Sequence, residues 1–315
     1  MLHTFLRLAR PLLLALVLPL AHAADCPPAP LAPDTATAAS APDRGLLWRL
    51  ERDGRVSWLY GSLHLGKPDW IFPGPALREA WLGTELLAVE LDLGDPQTMA
   101  TLGQLGRIKQ PPTAPLRERL AAQTRAACLP EQALATLHPL LQLSSLTALA
   151  ARWDGFDIGY GQEFALLSLA RHEGRRIVAL ETAAEQLGAL IPTDARETEK
   201  LVEQGLRQLE SGHARAPLVK LAKAWERGDL ARLENYEQWC ECVTSELEQR
   251  WLRRLNDGRN PHLAKRIAAL HAEGKPVLAV IGALHMSGPQ ALPALLAKLG
   301  FKVERVGAAA AGSPQ

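Results

Sequence analysis

Two short segments carry the residue types that chemistry would need. Gly61-Ser62-Leu63-His64 and Gly282-Ala283-Leu284-His285 each place a glycine three residues before a histidine. Each follows an apolar, strand-like run. Such a glycine lets the backbone turn sharply or approach a ligand closely. Imidazole is the commonest neutral metal ligand and the usual proton carrier near neutral pH. A single pair of this kind reads more readily as a structural histidine. Two at equivalent points of two similar units favour a shared site.

Acidic residues lie where such a site could use them. Glu90 interrupts the apolar run Leu86 to Leu91, and an unpaired charge there costs several kcal/mol. Period two puts Asp92 on the same face as Glu90. Glu181 closes the run Arg176 to Leu180 in the same manner. Arg259-Asn260-Pro261 marks a helix start, with Asn260 as the natural cap and Pro261 as the first helical residue. That leaves Arg259 free to hold a carboxylate or an oxyanion. The remaining histidines, among them His138, His213, His262 and His271, have no ligand spacing and read as surface or packing residues. No His-Glu-x-x-His, Gly-x-Ser-x-Gly or phosphate-binding loop is present.

The elements that must position these residues form an α/β (α+β) pattern. Leu46–Glu51 and Arg55–Tyr60 read as a hairpin turning at Asp53-Gly54. Residues 58–93 then run strand, Gly-x-Leu-His, turn, helix, strand, and residues 277–306 repeat that order. Each is a βαβ-like unit, which favours a central, mostly parallel sheet. Both histidines then sit at carboxyl ends of strands, where open α/β sheets bind ligands. Between the units lies a large helical insertion, about 97–257, broken by the strand Arg176–Glu181. Within it, Pro130–Leu137 and the long stretch Leu230–Asn256 both read as helices.

The whole is expected to be a single domain over 43–306. Residues 24–42 are a disordered Pro/Ala-rich lead-in, and 307–315 a flexible tail. Residues 1–23 have a signal peptide's features: Arg7 and Arg10, then an apolar run from Pro11 to Leu20, then Ala21-His22-Ala23. The expected destination is the periplasm or the outside of the cell, with no membrane contact after cleavage. The net charge of +1 over 315 residues gives no electrostatic footprint for nucleic acid. Four cysteines in an oxidising compartment allow three pairings. Cys240 and Cys242 would point about 200° apart on a helix, so Cys128 is expected to bond one of them. The closed loop would contribute roughly 4 to 5 kcal/mol.

Taken together, several segments resemble the TraB/GumN family, related to PrgY and to the animal Tiki proteins. They are Tyr60 to Gly66, Val89-Glu90-Leu91-Asp92, Leu180-Glu181-Thr182 with Gln186, Arg259-Asn260, and Ile281 to His285 with Gly288. Their order and distances, over about 45–306, carry the likeness more than any one motif. The resemblance implies an α/β core with a helical insertion. By analogy with Tiki, it also implies metal-dependent hydrolysis of a peptide or protein substrate. The metal ligands would be His64, His285 and Glu90, holding a divalent ion (Mn, Co or Zn) that activates water. Glu181 would be base or supporting partner, and Arg259 would steady an oxyanion. Related folds include erythromycin-esterase-like enzymes and haem binders. The alternative is therefore a periplasmic metal- or haem-binding protein without turnover.

Overall fold

A computed structural model of the protein describes residues 26–307. The leader, residues 1–23, lies outside them, as does the tail beyond residue 307. Six strands form one sheet: β1 (Leu46–Arg52), β2 (Arg55–Ser62), β3 (Leu86–Val89), β4 (Arg176–Ala179), β5 (Val277–Gly282) and β6 (Lys302–Val306). Their order is β4-β3-β5-β2-β1-β6. β4, β3, β5 and β2 run parallel, while β1 is antiparallel to both β2 and β6. The β1–β2 turn is made by Asp53 and Gly54, both at positive φ. This is the two-residue turn whose twist suits a hairpin, and Asp-Gly accepts it at low cost.

The two repeated units are present and interlocked. β2 connects through the helix Pro75–Leu82 to β3, and β5 connects through the helix Leu292–Lys298 to β6. β5 lies between β2 and β3, so each unit straddles a strand of the other. All six residues of β5 are buried, which explains their unbroken apolar run. The main core packs against this sheet. A satellite cluster of Leu116, Leu120, Leu140, Leu146, Leu201, Val202 and Leu206 holds three helices of the insertion together. Trp225, fully buried on another inserted helix, donates its indole N–H to the Gly61 carbonyl at 2.7 Å. That bond ties the insertion to the strand end that leads to His64.

Three expectations need correction. Pro130–Leu137 forms turns rather than a helix. The stretch read as one helix over Leu230–Asn256 is three: Leu230–Glu234, Tyr236–Trp239 and Glu246–Leu255. The cysteine pairing differs for the same reason. Helix ends at Trp239 and Glu241 takes a left-handed φ of 54°, so Cys240 and Cys242 do not point apart as on a helix. They bond each other, and Cys128 bonds Cys26, 102 residues away. Of the lead-in, Thr35–Ser40 forms a 3-10 turn capped by the Asp34 carboxylate, and the Ala38 carbonyl accepts from the Arg78 guanidinium.

Candidate metal centre

The four parallel strands each deliver one site residue just past their carboxyl end. In sheet order these are Glu181 after β4, Glu90 after β3, His285 after β5 and His64 after β2. Side chains far apart in sequence thus meet along one edge. The meeting point is Gly282: a Cβ there would lie 3.4 Å from Glu90 Oε1, 3.6 Å from His64 Nε2 and 3.7 Å from His285 Cδ2. The expected convergence of both histidines on one edge holds. Asp92, by contrast, turns outward and pairs with Arg171.

Glu90 is buried at the centre. Its Oε1 accepts the Gly282 N–H at 2.8 Å, and its Oε2 accepts from Gln186 at 3.1 Å and from Arg259. Arg259 also grips Glu181, with Nε 3.0 and 3.2 Å from its two oxygens. One guanidinium therefore bridges two buried carboxylates, a fixed-fork role that lysine could not fill. Burial opposes ionisation of Glu90, but the facing His285 ring, the Arg259 guanidinium and His64 outweigh it. Its carboxyl is held well below the usual range. His285 itself is pushed down to about 4, first by its own burial. It is therefore neutral at neutral pH, and we assign the charge that keeps Glu90 ionised to Arg259 and His64.

Asn260 does something the sequence did not suggest. It does not cap its helix; Arg259 occupies the cap position and makes no side-chain cap bond. Asn260 is fully buried and donates its amide to the carbonyls of His285 and Gln290, at 3.1 and 2.8 Å. Its amide nitrogen is thereby fixed, so its oxygen must accept, and His285 Nδ1–H donates to it at 2.5 Å. The lone pair of His285 is left on Nε2, where Arg259 Nη1 approaches to 3.2 Å.

His64 stands at the mouth, its side chain 68% exposed. Glu163, with a mostly buried carboxylate, reaches its Nδ1 at 2.6 Å and also accepts from Ser62 at 2.7 Å. The negative charge of Glu163 raises the His64 pKa to about 9, against the opposing effect of desolvation. Because the ring is largely open to water, the ion pair is the cause we rely on. Glu163 is the site residue that sequence reasoning missed. It opens the helix Gln162–His172, which the loop before it brings against His64: Gly66 and Asp157 exchange backbone bonds, and a Cβ on Gly161 would sit 2.7 Å from the His64 carbonyl oxygen. Gly159-Tyr160-Gly161 was the available signal, since two glycines before an acidic helix start mark a close approach.

His64, Glu90 and Glu163 offer ligand atoms all within 4.8 Å of one another, and they could hold a metal ion. His285, expected as a ligand, is beside this group rather than in it. The donor set suits a divalent cation: one imidazole and two carboxylates. The cradle that a Cβ on Gly282 would fill gives it room. The charges agree, because Arg259 compensates only part of the charge of Glu90, Glu163 and Glu181. No helix among the described residues is long and apolar enough to cross a membrane. Comparison with curated proteins gives no match, and neither does comparison with solved structures. The family model that does match is that of the TraB/PrgY/gumN family, over residues 46–305, so the chain belongs to that family.

Proposed function

We propose that this protein is an exported metal-dependent hydrolase acting on a peptide or protein substrate. The observation that carries the reading is the ligand group itself: His64, Glu90 and Glu163 converge at a sheet edge beside a charged, buried Arg259. A divalent ion held there would supply Lewis acidity to a substrate carbonyl and to water. The chain's own residues supply the rest. Glu163, besides offering a ligand oxygen, holds the His64 ring through Nδ1. Asn260 fixes the tautomer of His285, so Nε2 faces the site as a proton acceptor. Arg259, already on Nε2, is placed to steady a developing negative charge. Glu181 holds that guanidinium in position, the supporting role among those considered for it.

The test has two parts. Purified protein is assayed for bound metal, and for cleavage of a peptide library with Mn²⁺, Co²⁺ or Zn²⁺ added. His64→Ala is expected to lose bound metal and cleavage while keeping its circular dichroism. Unchanged metal content in a folded His64→Ala protein overturns the assignment. Export is supported by the two disulfides, which persist in oxidising compartments. Mass spectrometry of the protein from its native host should find cleavage after Ala23 and both bridges. An uncleaved leader and four free thiols would contradict it.

A further inference from the structure

The Cys240–Cys242 bridge lies in the insertion and takes no part in the site above. A disulfide across a single intervening residue leaves that residue few conformations. Here Glu241 pays for closure with a left-handed backbone, φ 54°, a region that a residue with a Cβ adopts reluctantly. Opening the bridge releases that constraint. Disulfides that are strained or exposed are the labile, exchange-active ones.

The two sulfurs are not equivalent. Cys240 is fully buried, while Cys242 is half-buried and so the more open to attack. The backbone N–H of Cys242 points at Cys240 Sγ at 3.1 Å. That N–H would stabilise Cys240 as a thiolate. The Tyr236 hydroxyl lies 3.3 Å from Cys242 Sγ. Cys240 also lines a cleft of about 340 Å³ whose cationic walls are Arg207 and Lys220, with Glu241 the one acid. Arg207 is partly spoken for by Glu203. Lys220 reaches Glu241 only at 3.9 Å. The cleft is therefore cationic, and positive surroundings lower a thiol's pKa and favour it as leaving group.

We propose that Cys240–Cys242 is an exchange-active disulfide that accepts an acidic peptide thiol at Cys242 and releases Cys240 as a thiolate. The incoming thiolate attacks Cys242 Sγ. A new S–S bond forms there, the Cys240–Cys242 bond breaks, and its electron pair leaves on Cys240. A second thiolate attacking the sulfur of the bound peptide completes a two-electron reduction, giving the dithiol protein and the peptide disulfide. Run in reverse, the same steps reclose the bridge at the expense of a peptide disulfide.

Glutathione is the probe, because it is a peptide thiol with two carboxylates. The folded full-length protein is incubated with it, quenched with an alkylating reagent and mapped by mass spectrometry. The expected product carries glutathione on Cys242 and the alkyl group on Cys240, at glutathione concentrations that leave circular dichroism unchanged. In the double variant Lys220→Gln/Arg207→Gln, exchange should slow at least threefold, while an uncharged thiol of similar size shows a smaller change. The proposal is overturned if the bridge opens only when the protein unfolds, if the adduct sits on Cys240, or if the double variant exchanges at the parent rate.

Discussion

Gly282 has a φ of −51°, which any residue can adopt, so its backbone does not require glycine. What a side chain would occupy there is the space between Glu90, His64 and His285, at ordinary contact distances of 3.4 to 3.7 Å. Gly282→Ala should therefore fold, with stability unchanged or raised by about 0.4–1 kcal/mol through loss of unfolded-state entropy. Metal binding should weaken at least tenfold, which isothermal titration with Zn²⁺ or Mn²⁺ measures; parent affinity would show that the ion sits elsewhere. His64 sets the pH dependence of that binding. Without metal, its pKa of about 9 keeps it protonated at neutral pH. A ligating histidine must be neutral, so binding near pH 7 should release about one proton, and affinity should rise with pH until about 9. Titrations in buffers of different ionisation enthalpy count that proton. In Glu163→Gln the ion pair is gone, His64 should titrate nearer its ordinary value of about 6.5, and the release should shrink.

At the scale of elements, the helix Asn260–Ala272 links the site to the far end of the sheet. At its head, Arg259 is the shared partner of Glu90 and Glu181. Arg259→Met should cost about 3–5 kcal/mol in urea unfolding, because it strands buried carboxylates. Adding Glu181→Gln should restore part of that loss. Near its tail, His271 donates Nε2–H to the Arg52 carbonyl at 3.0 Å, which can only accept, so its Nδ1 takes the Ser57 hydroxyl proton at 2.8 Å. Burial lowers its pKa and keeps it neutral. An unfolded chain binds a proton here near pH 6.5 and the folded one does so only lower. The stability contribution is thus complete above about pH 6.5 and falls as pH drops from there toward the folded pKa. His271→Asn should flatten that part of the stability–pH curve; an unaltered slope would assign it to other groups. Much of this layer could be read from the chain. The β5 run, the Asp53-Gly54 turn and the paired Gly-x-Leu-His ends follow from periodicity and turn chemistry, which are local. Glu163 was missed because only the docking of the loop before it brings it to His64. Asn260 was misread because a cap and a buried orienter look alike in sequence, and what separates them is a partner 25 residues away. The helix break at Cys240 hid for a similar reason: apolar spacing continues through it, and the left-handed backbone at Glu241 leaves no mark in that pattern.

For the molecule as a whole, the order β4-β3-β5-β2-β1-β6 makes β5 the joint of the sheet. Without it, β4-β3 and β2-β1 have no common edge, and His64 and Glu90 no longer share a site. A chain ending before Val277 should be rapidly digested by protease and show no cooperative unfolding transition, whereas one ending at Gly307 should match the full protein. A protected core in the shorter chain would contradict the joint role of β5. Sheets of such long-range pairing close late. The strand that completes the centre is also made after every one of the candidate ligands His64, Glu90 and Glu163. If the protein is exported as proposed, a chain threading through a membrane would carry those candidate ligands apart until β5 has followed them. Hydrolytic capacity of the proposed kind would then be withheld from the compartment of synthesis by chain order alone, with no inhibitor or pro-segment required.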